Sequence, residues 1–281
     1  MSNTARYKNT NNTSKKKNLI LNIIIVILAL ISIVSAFIVL NYFIGSSNDK
    51  KTFNKLADFV DKNSDSLDID KEYNDTEKPP SQEEIDASIL KAYNDLKASN
   101  PDMVGWLKID DTLINYPVMH TPKDIEYYLR RNFEKKSSQA GVPFVGENCS
   151  VSPNNDHILL YGHNMDDGSM FADTFKYYND NQFVEDHKYI QFDTMQERAV
   201  YEVFSVYKID VASNNGHYDF YNKTNLSNED DFNSFVNTMK SLSVYKSDIN
   251  PVFGDEFISL VTCSYHNTNG RLVIVARKVQ E

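Results

Sequence analysis

The chain has 281 residues, of which 41% are hydrophobic and 24% charged, with 9 Gly, 8 Pro and 2 Cys. That length allows one or two domains, and the composition excludes collagen-like, wholly disordered and low-complexity chains. Two cysteines are too few for a disulfide scaffold or a Cys-based zinc ribbon, and a formal net charge of −10 disfavours nucleic acid as a partner.

The charge is unevenly spread. Residues 1–17 hold Arg6, Lys8, Lys15, Lys16 and Lys17, so all 39 acidic residues lie beyond them. Leu19 to Ile44 is an apolar run of 26 residues within 31 that carry no charge. About 20 apolar residues cross the hydrocarbon core as a helix, so 1–18 reads as a tail and 19–44 as a transmembrane anchor. A cleaved signal peptide is the competing reading, but its apolar region is usually only ~7–15 residues. Asn22 and Asn41 sit near the ends of the run, and Tyr42 and Phe43 suit the outer interface. The positive-inside rule keeps the basic tail in the cytoplasm and puts the acidic remainder outside the cell.

Residues 45–80 read as a stalk or linker. They mix charges, end in Pro79-Pro80 and show only a short amphipathic turn at Phe53, Leu56 and Val60. The remaining domain, 81–281, opens with a helix. Ser81 and Glu84 match a capping box, Ile85, Ile89, Ala92, Tyr93 and Leu96 follow at helical spacing, and Asn100-Pro101 ends it.

Strands then dominate. Val104–Ile109, Thr112–Val118, Val142–Val145, His157–Tyr161, Tyr189–Phe192, Ala199–Ile209, Phe257–Thr262 and Leu272–Val279 are rich in Val, Ile, Tyr and Phe. One further helix is predicted from Thr121-Pro122 to about Arg130. Another covers about 227–242, with Phe232, Phe235, Val236, Met239 and Leu242 on one face. Eight short strands with few helices predict a mainly β fold, a closed or nearly closed barrel. No internal repeat is present.

Two segments could carry chemistry. In the first, the apolar strand Ser259-Leu260-Val261-Thr262 ends at Cys263, and a polar loop leads to Arg271. A strand end is a rigid mount for a nucleophile, although a lone cysteine is often an inert buried hydrophobe. In the second, Leu159-Leu160-Tyr161-Gly162 leads to His163 and the loop Asn164-Met165-Asp166-Asp167-Gly168-Ser169-Met170-Phe171. A lone histidine is more often structural, but paired with a strand-end cysteine it can raise the thiolate fraction or hand protons to a leaving group. Arg271 stays protonated, so it can hold an oxyanion but cannot act as a base.

Ser259-Leu260-Val261-Thr262-Cys263 resembles the sortase signature Thr-Leu-X-Thr-Cys, and Tyr161-Gly162-His163 and Arg271 fit the same family. Further stretches resemble class B sortases: 100–109 (Asn-Pro-Asp-Met-Val-Gly-Trp-Leu-Lys-Ile), Ile114–Val118, Tyr127-Tyr128-Leu129, and Gly162–Met165 with Gly168–Phe171. The likeness spans about 81–279. It implies a sortase-type β-barrel with an N-terminal helix and a helix inserted before the Cys strand. It also implies a cysteine transpeptidase on the outer face of a Gram-positive membrane. Cys263 would attack the Thr carbonyl of an Asn-Pro-X-Thr-X-like sorting motif on surface proteins. His163 would be general acid and base, Arg271 would hold the oxyanion or substrate, and a peptidoglycan amine would resolve the thioacyl enzyme. No cofactor is implied.

The chain departs from the family pattern at Ser259 (usually Thr), Val261 (often Ser) and Tyr265 (often Asp), and its loop from Cys263 to Arg271 is short. These changes bear on substrate preference more than on the reaction. Cys149 reads as a plain loop thiol. A bridge to Cys263 would silence the enzyme. His120, His157, His187, His217 and His266 read as surface or structural; His266 is the rival base and Arg277 the rival arginine. Asp166-Asp167 reads as a solvated pair, with no metal assigned. No His-Glu-X-X-His occurs, and the order His before Cys does not suit a papain-like protease. The alternative of another class is a non-catalytic, membrane-anchored wall-binding module whose 17 Tyr and one Trp would stack on sugars.

Overall fold

A helix of 62 residues, α1 (Thr4–Asp65), begins the chain. The structure, a computed structural model, describes residues 4–65, 80–211, 220–264 and 269–280. The chain divides into two units, Met1–Ser47 and Asn48–Glu281. In the first, the side chains from Leu19 to Ile44 are almost all exposed. An 18-residue window of this helix reaches a mean hydropathy of 3.3, long and apolar enough to cross a membrane.

The second unit starts with the last turns of α1, where the structure differs from the expected flexible spacer. Phe53 and Val60 are only 4% and 6% exposed, and Leu56 and Ala57 pack against the same core. Positions 53, 56, 57 and 60 share one helical face. So short a stripe is marginal as an isolated helix but stable once a domain surface covers it. The rest of the expected spacer, 66–79, lies outside the described residues.

Helix α2 (Gln82–Ser99) opens on the predicted capping box. The Glu84 amide donates to Ser81 Oγ at 3.3 Å, and the Ser81 amide donates to Glu84 Oε2 at 2.7 Å. Its Ile89, Ala92, Tyr93 and Leu96 are buried, and Tyr93 stacks on Trp106.

All eight predicted strands form: β1 (Met103–Lys108), β2 (Asn115–Met119), β3 (Phe144–Val145), β4 (His157–Tyr161), β5 (Tyr189–Thr194), β6 (Val200–Asp210), β7 (Phe257–Cys263) and β8 (Gly270–Lys278). They close into a barrel in the order β1-β2-β3-β4-β7-β8-β6-β5, with β5 pairing back to β1. The joins β2–β3 and β4–β7 are parallel, and the others are antiparallel.

The parallel β4–β7 join needs a long crossover. That crossover carries the helix expected before the cysteine strand, labelled α5 (Glu229–Leu242) and capped by the Asn228 side chain. Two short helices, α3 (Thr174–Asn179) and α4 (Asn181–Asp186), were not predicted, being too short to show a periodic stripe. The helix expected at 121–130 is instead a turn followed by a 3-10 helix, Ile125–Arg130. The tertiary fold needs the carbonyl of Tyr128 elsewhere, where it accepts from the Val142 amide at 3.1 Å.

Candidate active site

Alternation along β7 puts Phe257, Ser259, Val261 and Cys263 on one face. Register extends that face. In β4, His157, Leu159 and Tyr161 pair with Phe257, Ser259 and Val261. In β8, Arg277, Val275, Val273 and Arg271 pair with Phe257, Ser259, Val261 and Cys263. Helix α5 covers one end, where Phe235 lies 5.1 Å from Phe257 and 4.9 Å from His157, centroid to centroid. Cys263 and Arg271 form the last rung at the other end.

Cys263 is half-buried and free. The Ser264 amide donates to Gly270 O at 2.8 Å, closing the hairpin base and bringing Arg271 opposite Cys263. Arg271 Nη1 donates to Gly270 O at 3.0 Å. Tyr161 stacks between Phe144 and Tyr221. Burial pushes its phenol well above the usual range, and the nearby Arg271 guanidinium pulls the other way.

His163 comes two residues after Tyr161, as Cys263 comes two residues after the paired Val261. The Gly162 amide still donates to Val261 O at 3.1 Å, so the alignment persists to the step before His163. Gly162 is required there, because a Cβ would sit 2.7 Å from the buried Phe171 ring. His163 Nε2 lies 2.8 Å from Leu129 O. A carbonyl only accepts, so Nε2 carries the proton and Nδ1 is left as an acceptor. Burial holds His163 below the ordinary histidine pKa; the nearby Arg130 charge pushes the same way, and the Leu129 bond opposes both. The ring is therefore neutral at neutral pH.

Leu129 O is the partner that residue-type reasoning missed, since a backbone carbonyl leaves no side-chain signature. The stretches that fix it did stand out in the sequence. The buried Asn100 donates to Tyr128 Oη at 2.8 Å and to Phe133 O, and Tyr128 Oη donates to Asp102 Oδ2 at 2.8 Å. Gly141, at φ +63°, passes where a Cβ would lie 2.5 Å from Tyr128 O and 2.7 Å from Leu129 O.

The other candidates fall elsewhere. His157 is buried, accepts from Ser259 Oγ at Nε2 (2.7 Å) and donates from Nδ1 to Lys223 O (2.7 Å). Burial lowers its pKa to about 4. The hydroxyl at position 259 thus serves a structural contact, which Ser makes as well as Thr. Arg277 lies at the covered end, 3.7 Å from the buried Asp255. His187 ends α4, and burial lowers the pKa of half-buried His120. Cys149 is a buried thiol rather than a plain loop thiol. Its sulfur accepts from the Leu159 amide at 3.3 Å, and burial raises it to about 11. Both cysteines are free. Asp167 is engaged by Lys50 and Ser169. His217, Tyr265 and His266 lie outside the described residues.

The Sortase domain family matches residues 107–279. Sortase B of Staphylococcus aureus is 33% identical over 190 residues, 67% of this chain and 75% of that protein. Sortase B of Listeria monocytogenes is 33% identical over 197 residues, 69% of this chain and 77% of that protein. The solved S. aureus sortase B–substrate complex superposes with a TM-score of 0.68 at 27% identity, covering 84% of this chain and 99% of that one. The chain belongs to the sortase family, among the class B enzymes. It is a sortase transpeptidase with the closed eight-stranded barrel of that class.

Proposed function

We propose that the chain is a membrane-anchored cysteine transpeptidase that joins secreted proteins to peptidoglycan, with Cys263 as nucleophile. The observation that carries this reading is the Cys263–Arg271 rung at the end of the β4–β7–β8 face away from α5, beside the strand end that leads to His163.

In this mechanism His163 Nδ1 takes the thiol proton, and the Cys263 sulfur attacks the Thr carbonyl carbon of an Asn-Pro-X-Thr-X-like motif. The negative charge that develops on the carbonyl oxygen faces the Arg271 guanidinium, a preorganised cation that needs no proton transfer. The C–N bond breaks, and the protonated His163 gives its proton to the departing amine. A peptidoglycan amine then attacks the thioester, passes a proton to His163 and displaces the thiolate, which recovers that proton.

Anchoring is supported by the apolar stretch of α1 and by the basic residues 6–17 that precede it. The tail is then cytoplasmic and the barrel extracellular. The domain division proposed is 1–18 tail, 19–44 anchor, a short connection, and a catalytic domain that includes residues 48–63 as well as 81–281.

The test is mass spectrometry of the protein incubated with Asn-Pro-X-Thr-X and Leu-Pro-X-Thr-Gly peptides, with Cys263→Ala as control. An acyl adduct on Cys263 and cleavage after Thr of the first peptide are expected. A folded protein with reduced Cys263 that forms no adduct with either peptide overturns the reading.

A further inference from the structure

The last turns of α1 make polar contacts that a mere connection would not need, and they reach both sides of the His163–Leu129 hydrogen bond. On the Leu129 side, the buried Asp49 carboxylate accepts from Ser138 Oγ at 2.6 Å and from Asn132 Nδ2 at 3.4 Å. Ser138 Oγ in turn accepts from the Gly141 amide at 3.0 Å, at the glycine that passes against the Tyr128 and Leu129 carbonyls. On the His163 side, Lys50 Nζ lies 3.2 Å from both Asp167 O and Asp167 Oδ2. Asp167 Oδ1 accepts from the Ser169 amide and hydroxyl, which tightens the loop that returns at Phe171 to donate to His163 O at 2.8 Å. Phe53 adds an apolar strut. Its ring meets Tyr116 edge-on at 5.1 Å, and Tyr116 Oη accepts from the Met170 amide at 3.2 Å.

We propose that Asp49 and Lys50 are positioning residues for the transpeptidation, holding the Leu129 and Asp167 loops so that His163 keeps one tautomer and one orientation. The proposal rests on the role given above to His163. A ring held by one carbonyl acceptor has its Nδ1 lone pair aimed in a fixed direction. When either loop loosens, the ring can turn or exchange tautomers, and proton transfer needs the former alignment. The catalytic apparatus therefore extends to residues only five or six positions beyond the apolar run.

The test uses the full chain in detergent micelles with an Asn-Pro-X-Thr-X peptide. Lys50→Met is expected to lower kcat about tenfold while KM stays within about twofold, because alignment rather than substrate binding is lost. Lys50→Arg restores kcat to within about twofold by keeping the cation on Asp167. Lys91→Met, which removes a surface pair with Asp95 on α2, serves as the lysine control and leaves kcat unchanged. Asp49→Asn gives a second, independent loss of kcat with the melting temperature followed in parallel, and an unchanged kcat there overturns the role of Asp49. In 15N-histidine spectra, the His163 ring is expected as a single Nε2–H tautomer in the wild type and as a tautomer average in Lys50→Met. An unchanged kcat in Lys50→Met, a loss that only follows unfolding, or a failure of Lys50→Arg to rescue overturns the proposal. A wild-type chain that cleaves no peptide overturns the functional reading instead, and the spectra then decide: a tautomer unchanged in Lys50→Met overturns the positioning role.

Discussion

The two ends of the β4–β7–β8 face carry the same pair of residue types with opposite outcomes. His157 and Arg277 lie on the rung of Phe257. Six positions further along the same strands, His163 follows β4 and Arg271 lies on the rung of Cys263. The spacing is alike, but cover is not. At the first end α5 seals the surface, so His157 is buried with both ring nitrogens committed. At the second, His163 is half-buried with a bond to one ring nitrogen among the described residues, and the half-buried Cys263 ends the paired strand β7. Chemistry needs an uncommitted atom at a rigid position, and in the proposed mechanism the end away from α5 supplies it.

Replacing residues at matched positions breaks or sharpens this contrast. The largest effect is expected for Cys263→Ala, which takes peptide cleavage below detection while the melting temperature stays within about 2 °C. Arg271→Ala lowers kcat/KM by on the order of 10²–10³-fold, and Arg271→Lys by less, since it keeps charge but not the planar fork. Arg277→Lys leaves kcat/KM within about twofold. Should Arg277→Lys prove the more damaging in steady-state assays, the two arginines have been assigned the wrong way round.

The histidines come next. His163→Ala lowers kcat by on the order of 10²–10⁴-fold with little change in urea stability. His157→Ala does the reverse. It costs about 2–4 kcal/mol, from the cavity and the unpaired Lys223 carbonyl and Ser259 hydroxyl, and leaves kcat per folded molecule within about threefold.

The pH dependence follows from the depressed pKa of His157. Folded, it stays neutral down to about pH 4; unfolded, it takes a proton near pH 6.5. Between these values the unfolded state binds more protons. This contribution is therefore fully present above about pH 6.5 and falls by about 3 kcal/mol by pH 4. Urea unfolding of wild type and His157→Gln at pH 7.0 and 4.5 checks it, since the variant should show the shallower loss. Equal losses would mean that His157 is not held neutral.

The smallest effect concerns the departure at the first signature position. Ser259→Ala strands His157 Nε2 and should cost about 1–2 kcal/mol, whereas Ser259→Thr should change stability by less than about 1 kcal/mol and leave kcat alone.

Much of this was legible in the chain. All eight strands read from β-branched and aromatic runs, because a barrel strand buries one face and its residue types record that. The capping box at Ser81 and the amphipathic stripe of α5 read equally well, since local hydrogen bonding and a long apolar face leave fixed spacings. Cys263, His163 and Arg271 stood out through strand ends and family resemblance. The helical packing of residues 48–63 did not, because its stripe holds only four apolar positions and forms only against a surface supplied by distant sequence. Nor did Leu129, whose part is played by a carbonyl.

The sequence by itself determined the apolar N-terminal segment, the strand content, the helix before the cysteine strand and the residue types for a thiol, an imidazole and a guanidinium. These are properties of local spacing and side-chain chemistry. Only the tertiary structure put Arg271 on the rung of Cys263 and His157 and Arg277 at the end that α5 covers, bound His163 Nε2 to Leu129 O, and brought Asp49 and Lys50 to the loops on either side of His163. Those outcomes depend on strand register, on the cover given by α5 and on contacts between residues up to 117 positions apart, none of which a local pattern encodes.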